Sequence, residues 1–267
     1  MTKIALTIAG VDPSGGAGVY ADIRAFSAFG VFPTAAITSI TFQNTQGVFG
    51  AEHQTSDSVR RQVEPILDDY NIDAIKTGML PNREIIEEVA RIVSEGGLRN
   101  FVVDPVVRST SGFDLIDNAA LRAMIERLFP LSDLITPNIP ETERITGIAI
   151  ESERDVHDAA EMMRSHGARN VLIKGGHLDI SEGSTSPRMA RDYLFLEGEL
   201  TVIEEEFHDT TATHGTGCTL ASAIAANLAL GKEIKEAVTV AKRFVNEAIR
   251  TAPGIGKGNS PINIRPI

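Results

Sequence analysis

Ile4-Ala5-Leu6-Thr7-Ile8-Ala9-Gly10-Val11-Asp12-Pro13-Ser14-Gly15-Gly16-Ala17-Gly18 is the stretch on which the fold turns. The apolar run over Lys3–Ala9 has strand length and stops at Gly, Asp, Pro and Ser, the residues that break strands. Gly18–Phe29 then reads as a helix. The same alternation recurs outward along the chain. Pro33–Phe42 is β-rich, and Ser56–Tyr70 carries Val59, Val63, Ile66 and Tyr70 on one helical face, with Ser56 or Asp57 as its cap. Strand Ile72–Thr77 precedes helix Arg83–Gly96, and strand Phe101-Val102-Val103 precedes helix Asn118–Phe129. Leu134-Ile135, helix Arg154–His166 and strand Val171-Leu172-Ile173 follow. Tyr193–Phe195 and Leu200–Phe207 read as an antiparallel pair around Glu197-Gly198-Glu199, and Gly217–Leu230 and Ile234–Arg250 as two final helices. Strands alternating with helices predict a mostly parallel α/β sheet covered on both faces, in one domain over residues 1–267.

Composition narrows the function. The 267 residues are 42% hydrophobic and 23% charged, ordinary for a globular protein. A net charge of −11 argues against a broad nucleic-acid or anionic-lipid surface, and leaves room for a small anion held by backbone N–H groups. The single cysteine, Cys218, excludes an internal disulfide and favours a reducing, cytoplasmic setting. Met1–Ala9 lacks the cleavage pattern of a signal peptide, and no apolar run approaches the ~20 residues of a membrane span.

Ligands of open α/β sheets bind beyond the carboxyl ends of the strands, so the loops there matter most. The glycine loop Gly10–Gly18 either lets backbone approach a ligand or is simply a turn-rich connection; it matches neither a Walker A loop nor G-x-G-x-x-G. Gln43 and Asn44 end a strand with amides that suit a neutral heteroaromatic ring, or are ordinary turn residues. Asn138 and Glu141 are oxygen ligands three apart, able to converge on Mg²⁺ with help from Asp104, or else a helix start with an acidic first turn. Thr213-His214-Gly215-Thr216-Gly217-Cys218 carries the strongest signal. Bare N–H groups at Gly215 and Gly217 with a helix N-terminus make an anion hole, and the same field is expected to lower the Cys218 thiol pKa. Against that stands the common role of a lone Cys as a small buried hydrophobe. Lys174 reads as a phosphate contact or a buried ion pair. The tail Gly254–Pro261, with Lys257, reads as a glycine-rich terminus or a lid near a nucleotide base.

Taken together, these loops resemble the hydroxymethylpyrimidine/phosphomethylpyrimidine kinases of thiamin biosynthesis, in the ribokinase-like superfamily. The resemblance runs through Gly10–Gly18, Gln43-Asn44-Thr45, Lys76-Thr77-Gly78-Met79-Leu80, Asp104-Pro105-Val106, Thr136-Pro137-Asn138, Lys174-Gly175-Gly176-His177, His214–Thr219 and Gly256-Lys257-Gly258. It implies a three-layer α/β/α sandwich with a small flap, ATP and Mg²⁺ as cofactors, and a homodimer. By position, Gln43 would recognise the pyrimidine, with Gly10, Asp22, Met79 and Val106 around the ring. Gly215, Thr216 and Gly217 would form the anion hole and Cys218 would take the catalytic place. Asn138, Lys174, Thr213 and Lys257 would meet the nucleotide, and Glu141 with Asp104 the metal. The family commonly has Gln where Tyr20 stands and Ala where Phe42 stands. Arg108, in the lid stretch Val107–Gly112, is the candidate for a substrate phosphate. The rival readings are a pyridoxal kinase of the same superfamily and a non-catalytic pyrimidine-binding module.

Overall fold

Phe101, Val102 and Val103 are all fully buried, yet they belong to opposite faces of the sheet: Phe101 and Val103 pack in one core, Val102 in the other. Val171 and Ile173 against Leu172, and Tyr193 and Phe195 against Leu194, repeat the split. The period of two in a strand buried on both sides explains why these segments read as unbroken apolar runs.

The computed structural model describes residues 1–107, 114–176 and 188–265. Its strands are β1 (Ile4–Val11), β2 (Phe32–Asn44), β3 (Gly47–His53), β4 (Ala74–Thr77), β5 (Phe101–Val103), β6 (Leu134–Ile135), β7 (Asn170–Lys174), β8 (Met189–Leu196) and β9 (Glu199–Glu206). They form one sheet in the order β3-β2-β1-β4-β5-β6-β7-β8-β9. The pairs from β2 to β7 are parallel; β2–β3, β7–β8 and β8–β9 are antiparallel. The helices are α1 (Gly18–Ala28), α2 (Ser56–Asp69), α3 (Arg83–Glu95), α4 (Asn118–Ala123), α5 (Ile139–Thr146), α6 (Glu153–Ser165), α7 (Thr216–Ala229) and α8 (Ile234–Arg250). Residues of α2, α3, α4 and α6 pack in one core, and residues of α1, α7 and α8 in the other. The result is the three-layer α/β/α sandwich. Among the described residues no helix is long and apolar enough to cross a membrane.

Three local features depart from the sequence reading, and a fourth concerns a segment it left open. β2 runs on to Asn44 and folds back as β3, an unanticipated edge strand whose Gly47 and Gly50 blur the alternation. The cap of α2 is Thr55, whose hydroxyl accepts the Ser58 N–H, in place of Ser56 or Asp57. The expected helix Asn118–Phe129 breaks after Ala123 into a π-turn, Met124–Leu128, and a 3-10 turn, Phe129–Leu131, where Pro130 removes a helical donor. The C-terminal tail is fixed in place: Pro261 bridges to His214, and the Asn259 N–H donates to the Thr45 carbonyl at 2.8 Å.

Candidate active site

The parallel strands β1, β4, β5 and β7 all end at one cleft of about 1290 Å³. Its wall beside β1 and β2 holds Gly10, Gln43, Met79 and Val106. Gly10 lies where the β1–β2 register shifts, and a Cβ there would stand 3.2 Å from Met79 Sδ, so the thioether packs directly against the bare Gly10 backbone. Gln43 adds amide groups at its rim.

The opposite side is the mouth of α7. Gly215 caps this helix at φ +84°, a left-handed conformation suited to glycine, and a Cβ there would meet the Gly16 carbonyl oxygen at 1.9 Å. Glycine has no side chain to cap with, and the first turn holds no acidic residue. The N–H groups that open α7 therefore face the cleft uncapped, as an anion site requires. Thr216 is the exception, because its N–H and hydroxyl both turn back to the Thr213 carbonyl, at 3.3 and 3.0 Å. Thr213 lines the cleft next to this turn.

Positive charge reaches the mouth from β7. Lys174 Nζ lies 2.9 Å from Asp104 Oδ1 and 3.9 Å from Glu141 Oε2, and a Cβ on Gly217 would come within 3.2 Å of it. Burial alone would lower its pKa, but the two carboxylates outweigh that and hold it charged. Asp104 also accepts the Thr136 hydroxyl at 3.1 Å.

Asn138 and Glu141 engage each other first. The Asn138 side-chain oxygen accepts the Glu141 N–H, and the Glu141 carboxylate accepts the Asn138 N–H, both at 2.8 Å, closing a capping box at the start of α5. Burial pushes the Glu141 carboxyl up to about 7, against the pull of Lys174. The Asn138 oxygen is thus engaged in the cap. Among the described residues no group of three or more His, Cys, Asp or Glu could hold a metal ion. Asp104 and Glu141 remain as hard oxygen donors flanking one ammonium. That set fits a hydrated divalent ion arriving with phosphates, and is too sparse for an all-protein cage.

Cys218 stands in the first turn of α7 and borders the cleft. Its thiol pKa is raised, not lowered. Burial pushes it up to about 11, and the charges of Asp22 and Asp104 add to this, while Lys76 and the Gly18 N–H pull the other way. The helix field is outweighed by desolvation, so the resting group is a thiol.

Two expected contacts do not reach the cleft. Asp22 is fully buried beneath it, accepting from Thr7 Oγ1 and Ser222 Oγ at 2.6 Å and from Lys76 Nζ at 2.9 Å. Its oxygens are satisfied by the core, so it supports the cleft floor and does not touch a ring. Lys257 is exposed and does not line the cleft, and its own N–H and that of Gly258 donate to Thr45 Oγ1 at 3.2 and 3.3 Å. Arg108 and His177 lie outside the described residues.

Three groups at the cleft escaped the sequence reading. Lys76 stood in the stretch Lys76-Thr77-Gly78-Met79-Leu80 with no role assigned to it. It is fully buried, and although desolvation would lower its pKa, Asp22 outweighs that and holds the ammonium charged. Lys242 of α8 pairs with Asp192 of β8 at 2.7 Å, beside Val245 and Ile249 at the far end of the cleft. Asp12 and His214 form a buried pair at 2.7 Å. Neither pair shows in a linear pattern, since its partners are distant in sequence.

A family profile described as phosphomethylpyrimidine kinase matches residues 12–263. The chain belongs to that family. A Bacillus subtilis hydroxymethylpyrimidine/phosphomethylpyrimidine kinase is 43% identical over 97% of this chain and 93% of its own length. Among solved structures, a phosphomethylpyrimidine kinase from Clostridium difficile superposes with a TM-score of 0.80 at 41% identity, covering 93% of this chain and all of that one. The ADP complex of a Bacillus subtilis pyridoxal kinase superposes with a TM-score of 0.87 at 35% identity, covering 98% and 97% of the two chains. Membership makes the protein a kinase with the ribokinase-like fold that its topology displays.

Proposed function

We propose that this kinase phosphorylates 4-amino-5-hydroxymethyl-2-methylpyrimidine with ATP, and then its monophosphate with a second ATP, as a step of thiamin biosynthesis. One observation carries the reading: the Lys174 ammonium stands over the uncapped mouth of α7 with Cys218 in the same first turn, across the cleft from the Gly10–Met79 surface and Gln43. A planar ring on that surface, read by the Gln43 amide, presents its hydroxymethyl group toward the mouth. The nucleotide occupies the rest of the cleft, its base toward Val245 and Ile249 and its phosphates toward Lys174 and the α7 amides.

Phosphoryl transfer needs positioning and charge stabilisation more than covalent help. The substrate oxygen attacks the γ-phosphorus as the bond to the β-phosphate bridge oxygen breaks. Charge on the transferring group is met by Lys174 and by the α7 N–H groups. Cys218, a thiol at rest, acts as a base only in its thiolate form, reached when the thiol releases its own proton to solvent; the thiolate then takes the hydroxyl proton late, as the new P–O bond completes. Mg²⁺ arriving with ATP supplies neutralising charge on the phosphate oxygens; Asp104 and Glu141 would hold it through its water shell. Arg108 is our candidate for the substrate phosphate in the second transfer. Pairing of two copies belongs to the same reading, supported by Phe42 and Phe49, 52% and 70% exposed on the β2–β3 edge.

Pyridoxal is the second reading, favoured by the close superposition on a pyridoxal kinase. Against it, the only thiol is Cys218, which leaves no second cysteine to capture an aldehyde. Rates on the pyrimidine alcohol, its monophosphate and pyridoxal, compared with saturating MgATP, separate the two. We expect both pyrimidines to be the better acceptors; a preference for pyridoxal refutes the assignment, and no ADP release with any of the three restores the binding-module reading.

A further inference from the structure

Lys174 stands between two carboxylates and pairs with only one of them. It is the register partner of Asp192 on the antiparallel pair β7–β8. Lys174 lies two residues from Leu172, and Asp192 two residues from Leu194, and both leucines pack in the core of α1, α7 and α8. The period of two therefore puts Lys174 and Asp192 on the same face of the sheet. Directly opposed residues on one face of such a pair have Cβ atoms about 4.5–5.5 Å apart, within easy reach of a lysine. Yet the Lys174 ammonium turns the other way, to Asp104 at 2.9 Å, and so arrives beside Gly217.

The reason is on α8. Lys242 Nζ lies 2.7 Å from Asp192 Oδ2, and the other carboxylate oxygen, Oδ1, accepts the Gly175 N–H at 3.1 Å. Both side chains are nearly sealed from solvent, so water and salt screen the pair little. Charges alternate across this end of the sheet as Asp104, Lys174, Asp192 and Lys242, two ion pairs side by side, with Glu141 3.9 Å from Lys174. Without Lys242, Asp192 would be a buried carboxylate held by one backbone N–H. A buried charge stripped of its counter-ion is costly, and the ammonium opposite can relieve it.

We propose that Lys242 is a positioning residue for Lys174: by pairing with Asp192 it neutralises the competing carboxylate, so that the Lys174 ammonium stays with Asp104 at the mouth of α7. The consequence for turnover rests on the reading of Lys174 given above; the geometric claim does not. Lys242 also lines the cleft, so a direct contact with the nucleotide is the competing explanation of any loss.

The test is a double-mutant cycle in the full chain. Lys242→Met deletes the ammonium and leaves the Asp192 charge. Adding Asp192→Asn deletes that charge and keeps an oxygen for the Gly175 N–H. Lys242→Gln, which leaves Asp192 a neutral donor, carries the comparison if the methionine variant does not fold. We expect Lys242→Met to lower turnover about tenfold, part of the loss that follows from deleting a preorganised donor outright. The double variant should recover to within about threefold of the unchanged protein. A crystal structure of Lys242→Met should show the Lys174 ammonium paired with Asp192 and withdrawn from Asp104. An ammonium still paired with Asp104 in that structure overturns the proposal. Where Lys242→Met loses turnover, a double variant no more active also overturns it, because neutralising Asp192 does not restore a lost nucleotide contact. A displaced ammonium with unchanged turnover supports the positioning and instead removes Lys174 from the transfer.

Discussion

Lys174 Nζ stands 2.9 Å from Asp104 Oδ1 while reaching the backbone of Gly217, where an added Cβ would come within 3.2 Å. The ammonium is therefore held by β5 and delivered to α7. Lys174→Met removes the charge that meets the transferring phosphoryl group and should lower turnover by roughly 10²–10³-fold, the loss seen when one preorganised donor is deleted. Lys174→Arg is not expected to rescue it, because a planar fork does not replace a point charge wedged between Asp104 and Gly217. Steady-state kinetics with circular dichroism to confirm folding checks both.

The Lys76–Asp22 pair lies under the cleft with both side chains fully buried. Lys76→Met leaves the Asp22 charge with only the Thr7 and Ser222 hydroxyls, and should cost about 3–5 kcal/mol of stability. Adding Asp22→Leu should recover much of that. Urea denaturation of the two variants measures the difference.

Cys218 sets a pH dependence of known direction. Its thiol is pushed up to about 11 from an ordinary 9.0, chiefly by burial. Alkylation should therefore rise about tenfold per pH unit through pH 10 without levelling. A plateau near the ordinary thiol value would contradict the geometry. The raised pKa also means that the unfolded chain releases this proton first. Its contribution to stability is present below pH 9.0 and lost as the pH rises through about 11.

Gly215→Ala forces a side chain into the left-handed region and onto the Gly16 carbonyl oxygen, 1.9 Å from the new Cβ. The expected cost is about 1–3 kcal/mol in stability. Thermal melting and ATP titration should show a less stable protein with weakened nucleotide binding, because the mouth of α7 has to shift.

The sequence displayed the layers because strands such as Phe101–Val103 must be apolar on both faces, and because the stripe Ile234, Val238, Ala241, Val245 marks α8. The mouth of α7 was legible from Gly215 and Gly217 beside Cys218. What stayed hidden depends on depth and on partners far along the chain. Asp22 looked like a ring contact until Lys76, Thr7 and Ser222 closed around it. The tail around Lys257 read as either a terminus or a lid, and the bonds from the Lys257 and Gly258 N–H groups to Thr45 could not be seen in one dimension. The direction of the Cys218 shift reversed because a helix terminus is visible in one dimension and desolvation is not. β3 went unseen because its hairpin is specified by Thr45-Gln46 and by pairing with β2, not by its own alternation.

The central claim is that Cys218 takes part in the transfer and not in holding the nucleotide. The deciding measurement is turnover of the pyrimidine alcohol set beside the dissociation constant of ATP, in the unchanged protein and in Cys218→Ser. The account predicts that turnover falls about 10²-fold while the ATP dissociation constant stays within about threefold. Near-unchanged turnover, or a loss of ATP affinity that accounts for the whole effect, would contradict it.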